Sequence, residues 1–190
     1  MLVYFIRHGE SETNVKKLYG GQFDAPLTEN GIAQAENLRE KLAGIKFDRV
    51  YSSDLSRAVT TARTALPGVE PIQDARLRES ALGWITGKPP KEIRENNPDK
   101  VELLNKRDFR VFGGECVADV TRRTAEFITE LSHESLDTAA VFCHGGVIIA
   151  ALGYLLDMEI PHAKVSQPNC MVCVFELTED SFSLVSWNKF

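Results

Sequence analysis

The chain has 190 residues, 43% of them hydrophobic and 26% charged, a length and composition that suit one globular unit with a sizeable core. Its net charge of −5 and the lack of any long basic run give no electrostatic support to a nucleic-acid partner, and no stretch is apolar for long enough to span a bilayer as a helix. Mild acidity still allows an anionic small molecule, because a local group of Arg and His binds phosphate on an acidic protein.

In chain order, Leu2–Ile6 is an apolar run of strand length that stops sharply at Arg7-His8-Gly9. No basic region precedes it and no small-residue cleavage site follows, so it reads as a buried strand and not a secretory leader, and a cytoplasmic location is expected. Pro26-Leu27-Thr28 offers a helix start with Thr28 as N-cap; Ile32, Ala35, Leu38 and Leu42 follow at helical spacing, and Gly44 suits the stop. Asp48–Tyr51 is a short strand, after which Ser52 or Ser53 caps a second helix whose Ala58, Ala62 and Ala65 allow close packing on a sheet. Gly83–Gly114, rich in Pro, Gly, Lys, Arg and Asn, is the least regular part; it has room for a helix within Pro90–Lys106, but reads as an excursion over the mouth of a site rather than as core.

Glu115–Leu131 is amphipathic, and Ala139–Cys143 is an unbroken apolar strand ending at His144-Gly145-Gly146. Val147–Leu156 is apolar enough for a buried helix. Met171–Leu177 and Phe182–Trp187 read as a closing antiparallel hairpin around Thr178-Glu179-Asp180. Cys116, Cys143, Cys170 and Cys173 sit in or beside apolar stretches and read as reduced core thiols. The Cys170–Cys173 pair has metal-like spacing, but no second pair accompanies it and it runs into a strand pattern, so no metal is expected.

Strands alternating with helices predict an α/β three-layer sandwich, a mainly parallel sheet with helices on both faces, in a single domain over residues 1–190. Ligands of such sheets bind beyond the carboxyl ends of the strands, near a topological switch point. His8 and His144 both leave the carboxyl end of a predicted buried strand, which points to a shared pocket.

The residues around these histidines each carry two readings. Arg7-His8 puts a cation and a nucleophile at one sheet edge, or is a polar strand exit; Gly9 lets the backbone turn or a ligand approach. Gly145 and Gly146 open a helix whose free N–H groups attract an anion, or form a plain turn. Arg57 stands in the first turn of its helix, where a cation is disfavoured by the macrodipole unless Asp54 or a bound anion offsets it. Glu79 is a general acid if its environment raises its pKa, and Asn14 either donates to a phosphate oxygen or caps a turn.

In order along the chain, this pattern resembles the histidine phosphatase superfamily, the phosphoglycerate mutase-like family. The resemblance rests on Arg7-His8-Gly9-Glu10-Ser11 with Asn14, the helix start Asp24-Ala25-Pro26-Leu27-Thr28, and Tyr51 to Ala58 with Arg57. It continues through Leu77-Arg78-Glu79, Gly113-Gly114-Glu115 and Val141 to Gly146 with His144. It implies that a neutral nitrogen of His8 attacks phosphorus and becomes a phosphohistidine, with Arg7, Arg57 and His144 neutralising the oxygens. Asn14 and the Gly145 N–H complete the pocket, and Glu79 protonates the leaving oxygen. It implies no cofactor and no metal, the arginines doing what Mg²⁺ does in kinases.

Thr13, Gly20-Gly21 and Gly83-Trp84-Ile85-Thr86-Gly87 depart from the family pattern where the leaving group is surrounded. All five catalytic positions are filled, against an idle phosphate-binding module. The compact stretch from Glu79 to His144 favours hydrolysis of small phosphomonoesters over a mutase, and length and layout also resemble the α-ribazole phosphatases. Lys88, Lys91, Arg94, Lys106, Arg107 and Arg110 in the excursion form a solvated face or grip an anionic substrate tail.

Overall fold

The computed structural model describes residues 1–158, 160, 165–178 and 181–190. Six strands, β1 (Leu2–Arg7), β2 (Arg49–Ser52), β3 (Ile72–Gln73), β4 (Thr138–Cys143), β5 (Val172–Leu177) and β6 (Phe182–Ser186), form one sheet in the order β3-β2-β4-β1-β5-β6. The pairs β3–β2, β2–β4 and β4–β1 are parallel; β1–β5 and β5–β6 are antiparallel. The sheet is therefore mixed, with a parallel half and a hairpin edge. Two-residue β3 escaped the sequence reading because it is too short to show a period. Glu179 and Asp180 of the expected turn lie outside the described residues.

Side chains alternate across the sheet with the strand's period of two, which sorts each strand into two cores. Val3 and Phe5 of β1, Val141 of β4 and Phe175 of β5 join Phe127, Ile128 and Leu131 of α6 (Val117–Ser132) and Val147, Ile148 and Ala151 of α7 (Gly145–Leu156). Tyr4, Ile6, Phe142 and Val174 face the other way, onto Leu38 and Leu42 of α2 (Glu29–Leu42) and Ala62 and Ala65 of α3 (Ser56–Ala65). Phe5, Phe142 and Phe175 are fully buried, each contributing about 1.5–3 kcal/mol by leaving water. Among the described residues no helix is long and apolar enough to cross a membrane.

Local sequence explains where the helices begin. Thr28 caps α2, accepting from the Gly31 N–H at 3.0 Å, with Glu29 in the first turn and Arg39 and Lys41 in the last. Cys116 takes the N-cap of α6, where its N–H and Sγ both donate to Asp119. The expected serine cap of α3 is corrected: Leu55 is its N-cap, and Ser52 ends β2. The first free N–H of α3, from Ser56, is taken instead by Asp24 across the loop at 2.7 Å.

The stretch 83–114 is an excursion from the main sheet, but it carries a small core of its own. It holds the short helices α4 (Pro90–Asn96) and α5 (Val101–Asn105) with one 3₁₀ turn between, where a single helix had room within Pro90–Lys106. Asn97-Pro98 explains the break, since proline disfavours a helical residue before it. Ile85, Ile93, Leu104, Phe109 and Phe112, with Leu82, bury one another in a small core of their own. Trp84 is about half exposed, edge-on to Phe112 and covered by Lys88. The segment is tied to the loop after α1 (Glu12–Val15) by Tyr19 N–H to Lys88 O and Gly87 N–H to Tyr19 O.

Candidate active site

Parallel pairing of β1 with β4 fixes the register in which Arg7 lies beside Cys143, so both chains leave the sheet together and deliver His8 and His144 side by side. The His8 N–H bonds the Cys143 carbonyl at 3.0 Å, and the two imidazole centroids stand 5.0 Å apart. Next to them Gly9 and Gly31 touch: a Cβ on Gly31 would come within 2.0 Å of the Glu10 oxygen, so only glycine lets the start of α2 approach the loop after β1.

Arg7, His8, Asn14, Arg57 and Glu79 all line one cavity of about 240 Å³. Its remaining wall is Thr13, Leu18–Gly21, Leu82, Arg107 and Phe109, the last two from the excursion. His144 is fully buried directly behind His8. Gly145 stands beside Arg7 and Gln167, with the Arg7 Nε 3.7 Å from where its Cβ would be.

His8 Nδ1 lies 2.6 Å from the Gly9 carbonyl oxygen, which can only accept, so Nδ1 carries the hydrogen and Nε2 the lone pair. Arg57 Nε donates to that Nε2 at 3.3 Å. Burial, then Arg57 and Arg7, push the His8 pKa down to about 3, so the ring is neutral at physiological pH. His144 is held well below the ordinary histidine value by burial first, then by Arg57, His8 and Arg7.

The arginines are fixed by main-chain oxygens. Arg57 is 3% exposed and its two terminal nitrogens donate to Phe23 O and Gly21 O at 2.8 and 2.7 Å. Its awkward place in the first turn of α3 is explained by this loop; Asp54 does not offset it, being paired with Arg78 at 2.7 Å. Arg7 donates through one terminal nitrogen to Gln167 O, while its buried Nε has no partner. His144 Nδ1 is likewise buried and unpartnered, its Nε2 meeting Ser53 Oγ at 2.9 Å. Buried polar atoms are nearly always bonded, so these two orphans, on the residues that precede His8 and that pack against its ring, are unusual.

Glu79 accepts from Ser80 N–H at 2.8 Å and from Gly146 N–H at 3.1 Å, with Arg107 Nη2 at 3.8 Å. A Cβ on Gly146 would come within 2.0 Å of the Glu79 Oε1, so the second glycine of the His-Gly-Gly run makes room for the acid. Asn14 Oδ1 is taken by the Ser11 N–H at 3.1 Å, capping α1, which leaves its NH₂ to donate. The capping reading of Asn14 is thus observed, on the wall of the same cavity.

Sequence reasoning passed over several supports. Gln22 and Arg123 donate to the Glu79 carbonyl, and Arg123 also reaches Arg76 O, Arg78 O and Glu115. Its signal was a charge on the inward side of α6, where the side chain is 12% exposed. Of the six basic residues in the excursion, Arg107 lines the cavity, whereas Lys91, Lys106 and Arg110 pair with acids of their own segment. The four cysteines are free thiols, and among the described residues no group of three or more His, Cys, Asp or Glu is placed to hold a metal.

Comparison with known proteins agrees with this geometry. The broad-specificity phosphatase YOR283W of Saccharomyces cerevisiae is 32% identical over 186 residues, covering 94% of this chain and 80% of that protein. The 2,3-bisphosphoglycerate-dependent phosphoglycerate mutase of Brucella canis is 33% identical over 174 residues, covering 85% and 84%. The crystal structure of the α-ribazole phosphatase from Shigella flexneri superposes with a TM-score of 0.89 at 25% identity, over 100% of this chain and 96% of that one. The profile of the histidine phosphatase superfamily (branch 1) matches residues 3–189, and the chain belongs to that superfamily.

Proposed function

We propose that this phosphatase hydrolyses small phosphomonoesters by passing the phosphoryl group through Nε2 of His8. The observation that supports it most is the buried, neutral His8 with its lone pair on Nε2, facing Arg57 and packed against His144, beside two unpartnered polar atoms, Arg7 Nε and His144 Nδ1. A phosphoryl group set against Nε2 gives both an oxygen to bond.

The steps follow from the site. The Nε2 lone pair attacks phosphorus while the ester P–O bond breaks, and protonated Glu79 gives its proton to the leaving oxygen. Ser53 Oγ, 2.9 Å from His144 Nε2, gives its hydrogen to that nitrogen in the tautomer this mechanism uses, which leaves Nδ1–H to donate to the phosphoryl group. Arg7, Arg57 and the Asn14 NH₂ neutralise and orient the other oxygens. Donors fixed in advance need no reorganisation as charge develops, an effect worth about 2.7–4 kcal/mol per donor in comparable sites. Water then attacks the phosphohistidine, Glu79 takes its proton, and the N–P bond breaks to release phosphate and neutral His8.

Water is favoured over a phosphoglycerate as the second acceptor because the covering segment is compact, and about 240 Å³ holds a phosphoryl group with a small leaving group. Residues 1–190 act as one catalytic unit with 83–114 closing the leaving-group side. Four free thiols suit a reducing cytoplasm. The test is turnover of p-nitrophenyl phosphate by EDTA-treated protein, with mass spectrometry of enzyme quenched in alkali, which preserves phosphohistidine. Metal-independent turnover and a phosphoryl adduct on His8, both lost in His8→Ala, are expected. Full activity in His8→Ala, or an adduct elsewhere, sinks the mechanism.

A further inference from the structure

Behind the nucleophile loop lies a second cavity of about 410 Å³, larger than the catalytic one and within the size range of ligand pockets, about 300–1,000 Å³. Its chemistry is unlike that of the first. Asn30, Gln34 and Asn37 line it from one stripe of α2, and Asn169 and Asn188 bring two more carboxamides. Lys41 is the charged residue on the wall, and Phe190, 43% exposed, offers an aromatic ring with the Lys189 ammonium over one face at 5.6 Å.

A carboxamide presents one acceptor and a pair of donors in a plane. Asn30, Asn37 and Asn188 are exposed, and their carboxamides face solvent with no hydrogen bond to the described residues. Gln34 uses its oxygen to accept from the Glu10 N–H at 2.8 Å, leaving its NH₂. Asn169 uses its NH₂ on His8 O at 3.1 Å and Asn14 Oδ1 at 3.3 Å, leaving its oxygen. The wall therefore mixes free donors and acceptors with almost no charge. Cys170 is held at φ of +56°, a strained backbone for a cysteine of the kind that clusters at functional sites, and Asn188 at +54°, a conformation asparagine tolerates. Paired donors and acceptors in a plane match the edge of a nucleobase, and an exposed ring matches its face.

We propose that this cavity binds a nucleoside, its base read by the carboxamides and stacked on Phe190, and that occupancy is felt at His8 through Asn169 and Gln34. A base that accepts from the Gln34 NH₂ and donates to the Asn169 oxygen fixes both side chains where they hold the Glu10 N–H and the His8 carbonyl. The binding claim stands apart from the phosphatase reading, since its readout is not turnover.

Calorimetric titration with adenosine, guanosine, cytidine and uridine tests it on wild-type protein, on the Asn30→Ala/Asn37→Ala double variant and on His8→Ala. We expect at least one nucleoside to bind with 1:1 stoichiometry, about tenfold or more weaker binding in the double variant, and unchanged binding in His8→Ala. Saturation should shift kcat/KM for p-nitrophenyl phosphate at least twofold in wild type but not in the double variant, whose basal rate is unaltered. No binding of any of the four at millimolar concentration overturns the proposal, as does binding that survives in the double variant. Binding lost in His8→Ala places the nucleoside in the catalytic cavity and overturns it too. Binding as expected with no change in turnover overturns the coupling to His8.

Discussion

Arg57 Nε sits 3.3 Å from His8 Nε2 and donates to it, so the cation that is to neutralise the phosphoryl group is already hydrogen-bonded to the atom that attacks it. Its terminal nitrogens are anchored on Gly21 and Phe23. Arg57→Ala should lower kcat/KM by about 10²–10³-fold, the usual loss for one preorganised donor. Arg57→Lys should recover little of it, because a lysine ammonium cannot hold two carbonyls and a ring nitrogen at once. Near-wild-type rates in the lysine variant would show that charge alone matters there.

The assignment of Glu79 as acid makes a prediction about leaving groups. Glu79→Gln keeps the size and some of the bonding but has no proton to give. Turnover of an alkyl phosphate should fall by about 10²–10⁴-fold, and that of p-nitrophenyl phosphate, whose leaving group needs little help, by much less. Parallel losses on both substrates in steady-state kinetics would remove Glu79 from the proton transfer.

Neutral His8 has a signature in pH. Its native pKa of about 3 lies below the unfolded value near 6.5, so between these values the unfolded chain binds a proton that the native one does not. Stability therefore falls as pH drops from about 6.5 toward 3, by up to about 1.4 kcal/mol per pH unit from His8. His144 acts in the same direction. Denaturant titrations from pH 7 to 4.5 should show this slope, and it should flatten in His8→Asn. Nitrogen-15 NMR should find His8 neutral with hydrogen on Nδ1 at pH 6; an imidazolium there contradicts the structure.

Arg107 faces both Glu79, at 3.8 Å, and the leaving-group side of the cavity. Its ion pair is part-exposed and adds little to stability, so Arg107→Met should leave the melting temperature within a few degrees. We expect KM for phosphomonoesters with a carboxylate on the leaving group to rise roughly five- to tenfold, and that for phenyl phosphate to change less than twofold, from the loss of one screened charge contact. Equal changes for the two esters would mean that Arg107 serves only to prop Glu79.

How much of this was legible beforehand follows from the range of each interaction. Leu2–Ile6 and Ala139–Cys143 announce themselves as buried strands because every residue is apolar, and the histidines at their ends are then forced to one rim of the sheet. Arg57 was legible as an anomaly in a helix start, but its anchors, Gly21 and Phe23, lie more than thirty residues away in sequence and leave no local trace. Arg123 looked like one more charge on an amphipathic helix, and only the fold brings the Glu79 carbonyl to it. The serine cap of α3 failed for a related reason: Ser53 is next to the β4 exit in space and bonds His144 instead. Residues 83–114 misled because Gly and Pro punctuate them, while Ile85, Ile93, Leu104, Phe109 and Phe112 meet only once the turns are made.

That small hydrophobic cluster has a consequence for the history of such a protein. The groups assigned to the chemistry hang from strand ends, from α1 and α3 and from the loop that carries Glu79, whereas Leu82, Phe109 and Arg107, which complete the cavity wall, hang from or beside the separate core under 83–114. Substitutions that reshape the second need not disturb the first. Selection can retool which ester is admitted, by insertion, deletion or repacking of one peripheral nucleus, while the machinery that breaks the P–O bond is inherited untouched.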